Sequence, residues 1–174
     1  MILRATTATL GLAAAAVMLS GCLAPAPEPT PTSTAVFASE DEAFAAAEET
    51  YRAYIDAENA RSADPTSDPE PQSFLVGEAL EADIDARREF QKRGMSIVGT
   101  SAVVSVTGTA ADLTVGDVTV TTCLDSSLSR VLNDAGEDIT PTDRDSTVAA
   151  TVKLVPLDGE MRIASIAGIA SASC

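Results

Sequence analysis

The sequence predicts an α+β fold, with helices first and an antiparallel sheet after them, and three observations carry that prediction. Ser39-Glu40-Asp41-Glu42 has the form of a capping box and opens a stretch whose apolar residues recur at helical spacing. After Gly94 the period drops to two, in sequence rich in Val, Ile, Thr and Ser. Near the end, Asp158-Gly159 lies between two alternating runs, the signal of a tight hairpin. Helices followed by strands, rather than an alternation of the two, place the helices on one face of the sheet.

Each element has its own local reason. In the first helix Ser39 is the N-cap and Glu42 the N3 residue, and the acids of the first turn suit the helix dipole. The helix is expected to run to about Arg61, with Phe44, Ala47, Tyr51, Tyr54 and Ile55 on one stripe that faces the core. Pro65, Pro69 and Pro71 then break it into a loop over residues 62–71. A short turn through Phe74 and Leu75 leads to a second helix, Glu78 to Arg93, with Gly94 as its C′ stop. Arg87, Arg88, Lys92 and Arg93 form a basic cluster at that helix's C-terminus. Asp83, Asp85 and Glu89 interleave with it, so it reads as a solvated, ion-paired helix end.

The strands follow. Met95 to Thr109 reads as one long strand with a bulge or bend at Gly99. A turn over residues 112–116 leads to a strand from Asp117 to Asp125. Its alternation puts Val118, Val120, Thr122 and Leu124 on one face, and Thr119, Thr121, Cys123 and Asp125 on the other. Residues 130–133 are a short strand, Asp134-Ala135-Gly136 a turn, and the charged stretch 137–145 an exposed loop. Ser146 to Leu157 then alternates, with Val148, Ala150, Val152 and Leu154 on one face, and Glu160 to Gly168 returns.

Composition narrows the function. The 174-residue chain has 11 Lys+Arg against 26 Asp+Glu, a net charge of −15, no His and no Trp. Phosphate backbones would be repelled, so nucleic acid is excluded as a partner. The same charge excludes electrostatic docking on anionic lipid. Aromatics make up 3 % of residues, too few for a stacking platform. Without His, the commonest general base and metal ligand is missing, and no metal or cofactor site is expected.

At the front, Arg4 precedes an apolar run from Leu10 to Leu19 that is too short for a permanent membrane helix, which reads as a secretory signal peptide over residues 1–21. Leu19-Ser20-Gly21-Cys22 resembles the lipobox of bacterial lipoproteins. The resemblance implies cleavage before Cys22, a diacylglycerol on its sulfur, and attachment to the extracytoplasmic face of the cell membrane through the acyl chains. Residues 22–38 then form a tether, extended by Pro25, Pro27, Pro29 and Pro31, and residues 39–174 a single domain. With Cys22 lipidated, Cys123 and Cys174 remain as an even pair in an oxidising compartment. A bridge between them would close a loop worth about 4 kcal/mol in the chain-entropy model. The alternatives are two free thiols or a metal site, and a metal would need ligands that no His or third Cys supplies.

Tyr51-Arg52-Ala53-Tyr54, Gly94 and Gly99, Thr122-Cys123-Leu124-Asp125-Ser126-Ser127 and Asn133-Asp134-Ala135-Gly136 together resemble the nuclear transport factor 2-like (SnoaL-like) fold of small actinobacterial lipoproteins. Met161-Arg162-Ile163 stands where such proteins carry an aromatic, often Trp. The resemblance implies a cone, with helices over a curved sheet of about four or more strands, and a candidate pocket inside it near Tyr51, Tyr54 and Asp125. Members of that superfamily include enzymes, binders and scaffolds. Here no nucleophile–base set, carboxylate pair or phosphate loop is visible, and Asp125 leaves the core face to serve a turn with Ser126 and Ser127. The expectation is a non-catalytic envelope lipoprotein that binds a small ligand or an envelope protein. The alternatives are a passive scaffold that forms a homodimer through its sheet, and a SnoaL-like enzyme.

Overall fold

A computed structural model describes residues 35–169 and Cys174. The signal peptide, Cys22 and the tether through residue 34 lie outside the described residues. The elements run α1 Glu40–Ala63, a 3₁₀ turn Pro71–Phe74, α2 Gly77–Lys92, β1 Ser96–Val98, β2 Ala102–Ala111, β3 Val118–Asp125, β4 Arg130–Leu132, β5 Thr147–Leu157 and β6 Glu160–Gly168. The fold is α+β: the two helices accompany a curved, antiparallel four-stranded sheet of order β2-β3-β5-β6, and β1 and β4 make a separate two-stranded pair. None of the described helices is long and apolar enough to cross a membrane.

α1 begins as its sequence dictates. Ser39 Oγ accepts a hydrogen bond from Glu42 N at 3.2 Å, while Glu42 Oε2 reaches one residue further back than a standard capping box, to Ala38 N at 2.8 Å. Val36 and Phe37 also donate to the carbonyl of Leu113 in the β2–β3 turn, so the last residues allotted to the tether are already held by the domain. The buried stripe of α1 is Ala43, Ala47, Tyr51 and Ile55. It packs on Val118, Val120, Val152, Leu154 and Ile163 of the sheet. Small residues on the helix let its backbone come close to a pleated Val/Leu surface. Phe44 is accommodated by a gap opposite: a Cβ on Gly108 would lie 2.3 Å from the Phe44 ring.

The expected single strand from Met95 to Thr109 is two. Gly99, at φ +87°, turns the chain where a side chain would strike the carbonyl oxygen of Leu128 at 2.1 Å. The amide of Asn59 on α1 then clamps the Ser101 backbone from both sides, accepting from Ser101 N at 2.8 Å and donating to Ser101 O at 2.9 Å. The segment before the break pairs with β4 and the segment after it with β3. Val148 shares the core face of β5 as expected, but it is 45 % exposed, because the core cluster under the helices reaches along β5 only to Ala150. The loop over residues 137–145 is fastened at both ends. Ile139 N donates to Val131 O, and Arg144 reaches the carbonyls of Ser126 and Ser129. Asp158 and Gly159 both have positive φ, as a type I′ turn requires.

Candidate functional site

The two tyrosines of α1 lie one turn apart with ring centroids 6.3 Å from each other. Tyr51 is 3 % exposed, packed into the core with the Thr122 hydroxyl beside its own. Burial pushes its phenol above the ordinary value, and the hydrogen bond with Thr122 offsets this only in part. Tyr54 is pushed up further, first by burial and then by the carboxylates of Glu58 and Asp83. Both phenols therefore stay protonated and are poor bases near neutral pH.

Asp125 is not with them. It stands on the opposite face of β3, its Oδ1 accepting from Ser127 N at 2.8 Å. Its carboxyl is held below the usual range by the backbone N–H and hydroxyl of Ser127. The three residues named for one pocket are thus separated by the sheet itself. The cause is the two-residue period of β3, which sends Thr122 and Asp125 to opposite sides.

Beside Tyr54, α1 and α2 share a partly buried ionic cluster. Glu58 pairs with Arg61, one turn on, and its other oxygen lies 4.0 Å from the Arg87 guanidinium of α2. Arg87 Nε is 2.7 Å from Asp83 Oδ2, off the direction of its N–H, and Gln72 donates to the same oxygen at 2.8 Å. Burial, followed by the Asp83 charge, raises the Glu58 carboxyl against the pull of Arg61. Two carboxylates and two guanidiniums make the cluster neutral, so it fastens the helices together. Arg87 therefore departs from the solvated helix end expected for it. Arg88, Lys92 and Arg93 pair with Asp85 and Glu89 on the exposed side, as anticipated. The sequence showed acids interleaved with the basic cluster, Asp83 four residues before Arg87 among them, but not the contact with Glu58 across the helix interface.

A surface concavity lies between α1 and the tip of the β5–β6 hairpin. It consists of two adjoining hollows of about 350 and 230 Å³ that share Glu49, Thr50, Glu160 and Met161. Val36 and Phe37 close the larger hollow, and Phe74 lines the smaller one. The Thr50 hydroxyl donates to Ala46 O inside α1, and Glu160 pairs with Arg162. Glu49 faces the groove without a cation partner among the described ion pairs. Neither hollow is lined by Tyr51, Tyr54 or Asp125. Sequence reasoning missed this groove because its walls come from four separate stretches, none of which carries a motif. A further hollow of about 430 Å³ sits where α2 meets the β1–β4 pair, near Gly94 and Asn133.

On the outer face of the sheet, Cys123 and Cys174 stand as a disulfide pair, with Cα atoms 5.7 Å apart and a sequence separation of 51. The chain leaving β6 continues the ladder for one more bond, Ile169 N donating to Ala149 O. Among the described residues, no group of three His, Cys, Asp or Glu side chains is placed to hold a metal ion.

No family model matches the chain, and no curated protein matches it. Among solved structures, the fold is similar to the crystal structure of the intermembrane space region of the chloroplast protein ARC6. That likeness has 16 % identity and a TM-score of 0.44, and it covers 71 % of this chain and 96 % of that one.

Proposed function

We propose that the chain is a lipid-anchored protein of the extracytoplasmic face of a bacterial cell membrane, whose NTF2-like domain binds a small ligand or an envelope protein without catalysing a reaction. The anchor rests on Ser20-Gly21-Cys22 behind an apolar run, and the oxidising compartment on the Cys123–Cys174 pair. The observation that carries the binding role is the groove between α1 and the β5–β6 hairpin. It combines apolar and charged side chains, the mixture recognition sites use to gain both affinity and orientation. Its hydroxyl and one of its carboxylates are already engaged within the protein, at Thr50 and Glu160.

A scaffold that pairs through its sheet is less favoured, because neither edge is freely open. The edge at β2 carries two bulges, which turn an edge away from edge-to-edge pairing, and the edge at β6 is partly taken by Leu75 and Val76, which leaves only a short stretch of it open. Two measurements test the proposal. Cys22→Ser should move the protein from the detergent phase to the aqueous phase in phase partitioning; unchanged partitioning overturns the anchor. A photo-crosslinking residue at Thr50 should capture a partner in intact cells that one at Thr121, on the outer sheet face, does not. Equal capture at both positions overturns the groove as the binding site.

A further inference from the structure

The groove runs beside a sheet edge. β6 is the last strand of the sheet, and part of its open side is already used: Leu75 bridges Ile163 in parallel, and Val76 N donates to Ile163 O at 2.9 Å. The two-residue turn at Asp158-Gly159 fixes how the rest of that side is presented. In such a hairpin Leu157 and Glu160 exchange the first pair of hydrogen bonds, so the next pair, Pro156 and Met161, is non-bonded and directs its main-chain groups outward. Met161 thus offers its N–H and C=O to the edge as Ile163 does, two residues ahead of the place where Leu75 and Val76 have docked. Its carbonyl has only a long contact, 3.4 Å, from the neighbouring Arg162 guanidinium. The smaller hollow lies along this stretch, with Met161 and Phe74 as apolar surface, Glu49 on the α1 side, and Arg162 at the hairpin already paired with Glu160.

Resting on the reading of this groove as the binding site, we propose that its occupant is an extended, basic segment of a protein partner. It would add to the β6 edge at Met161 and alternate an apolar side chain against Phe74 and Met161 with a cationic one against Glu49. Main-chain bonding to an edge supplies affinity, and the alternate side chains supply selectivity. Charge complementarity sets the sign: the chain carries −15, and Glu49 has no cation of its own in the described ion pairs.

The test uses the isotope-labelled full-length chain in detergent micelles and three capped pentapeptides. One alternates valine with arginine, the second has glutamate in place of arginine, and the third is the arginine peptide N-methylated on alternate amides. The arginine peptide should shift the Glu49, Thr50 and Met161 amides, slow hydrogen exchange at Met161, and bind at least about tenfold more tightly than either control, a difference of about 1.4 kcal/mol. Glu49→Lys, an exposed change on α1, should weaken it by about tenfold. If the N-methylated peptide binds equally well, edge addition is overturned. If the glutamate peptide binds the groove as tightly as the arginine one, the basic partner is overturned while the groove stands as a site. If no peptide moves any groove amide, the inference is overturned, while the groove reading is decided separately by the crosslinking at Thr50.

Discussion

On one side of β3, Val118, Val120 and Thr122 lie fully covered by α1 and the neighbouring strands; on the other, Thr119 and Thr121 remain half-exposed and Cys123 is buried beside its partner cysteine. The first face is closed by many small apolar contacts spread over α1, β5 and β6. Among the described residues the second has no layer over it and is secured by the disulfide. Area burial contributes roughly 25 cal/mol per Å², so the helix face draws its stability from breadth. A cross-link acts chiefly on the unfolded chain and needs no breadth at all. A small acidic domain with few aromatics can therefore leave one sheet face polar and open, provided it is tied down at one place.

That contrast can be broken from either side. Cys174→Ser removes the tie and should cost about 4 kcal/mol, read as a drop in the urea midpoint that reductant reproduces in the unmodified protein. No drop would mean the outer face needs no tie. Leu154→Ala, at a fully buried position on the helix face, should cost about 3 kcal/mol through lost contact and residual cavity. Gly108→Ala drives a methyl group toward the Phe44 ring and should cost about 2 kcal/mol. Most of that should be recovered in a Phe44→Leu background, as a double-mutant cycle would measure.

A fourth prediction concerns pH. Because the folded Glu58 carboxyl is raised by burial, the native state takes up its proton more readily than the unfolded chain does. Its contribution to stability therefore grows as pH falls through the folded value and declines as pH rises above it. Thermal melts at pH 5 and pH 7 should show Glu58→Gln lacking that acid-side gain relative to the unmodified protein. Parallel shifts in the two proteins would refute the assignment. The smallest effect is expected on the open face, where Lys153→Thr should change stability by no more than about 0.5 kcal/mol.

Features written in adjacent residues were legible in the sequence. Ser39 and Glu42 gave the start of α1, Gly94 the end of α2, and Asp158-Gly159 the closing turn. The alternation of β3 separated its two faces and correctly sent Asp125 to a turn with Ser127. Features that depend on distant partners were not legible. The break after β1 comes from the carbonyl of Leu128 and the side chain of Asn59, both far from Gly99 in sequence. Arg87 turns inward because Glu58 waits on another helix. Tyr51 and Tyr54 were found as core-facing residues, but the cavity drawn around them with Asp125 disregarded the sheet that lies between. The groove at the hairpin tip is assembled from segments that meet only after folding.

The order of elements along the chain has a consequence for synthesis. α1 is made before any strand it covers, and its apolar stripe finds Ile163 only when about a hundred further residues have been added. At about 5–20 residues per second, that stripe waits on the order of 5–20 s before its counterpart is complete. Three of its five buried positions are Ala43, Ala47 and Ala57, which present little surface for a wrong partner to grip during the delay. The smallness that lets α1 sit close to the finished sheet also keeps the unfinished protein from sticking.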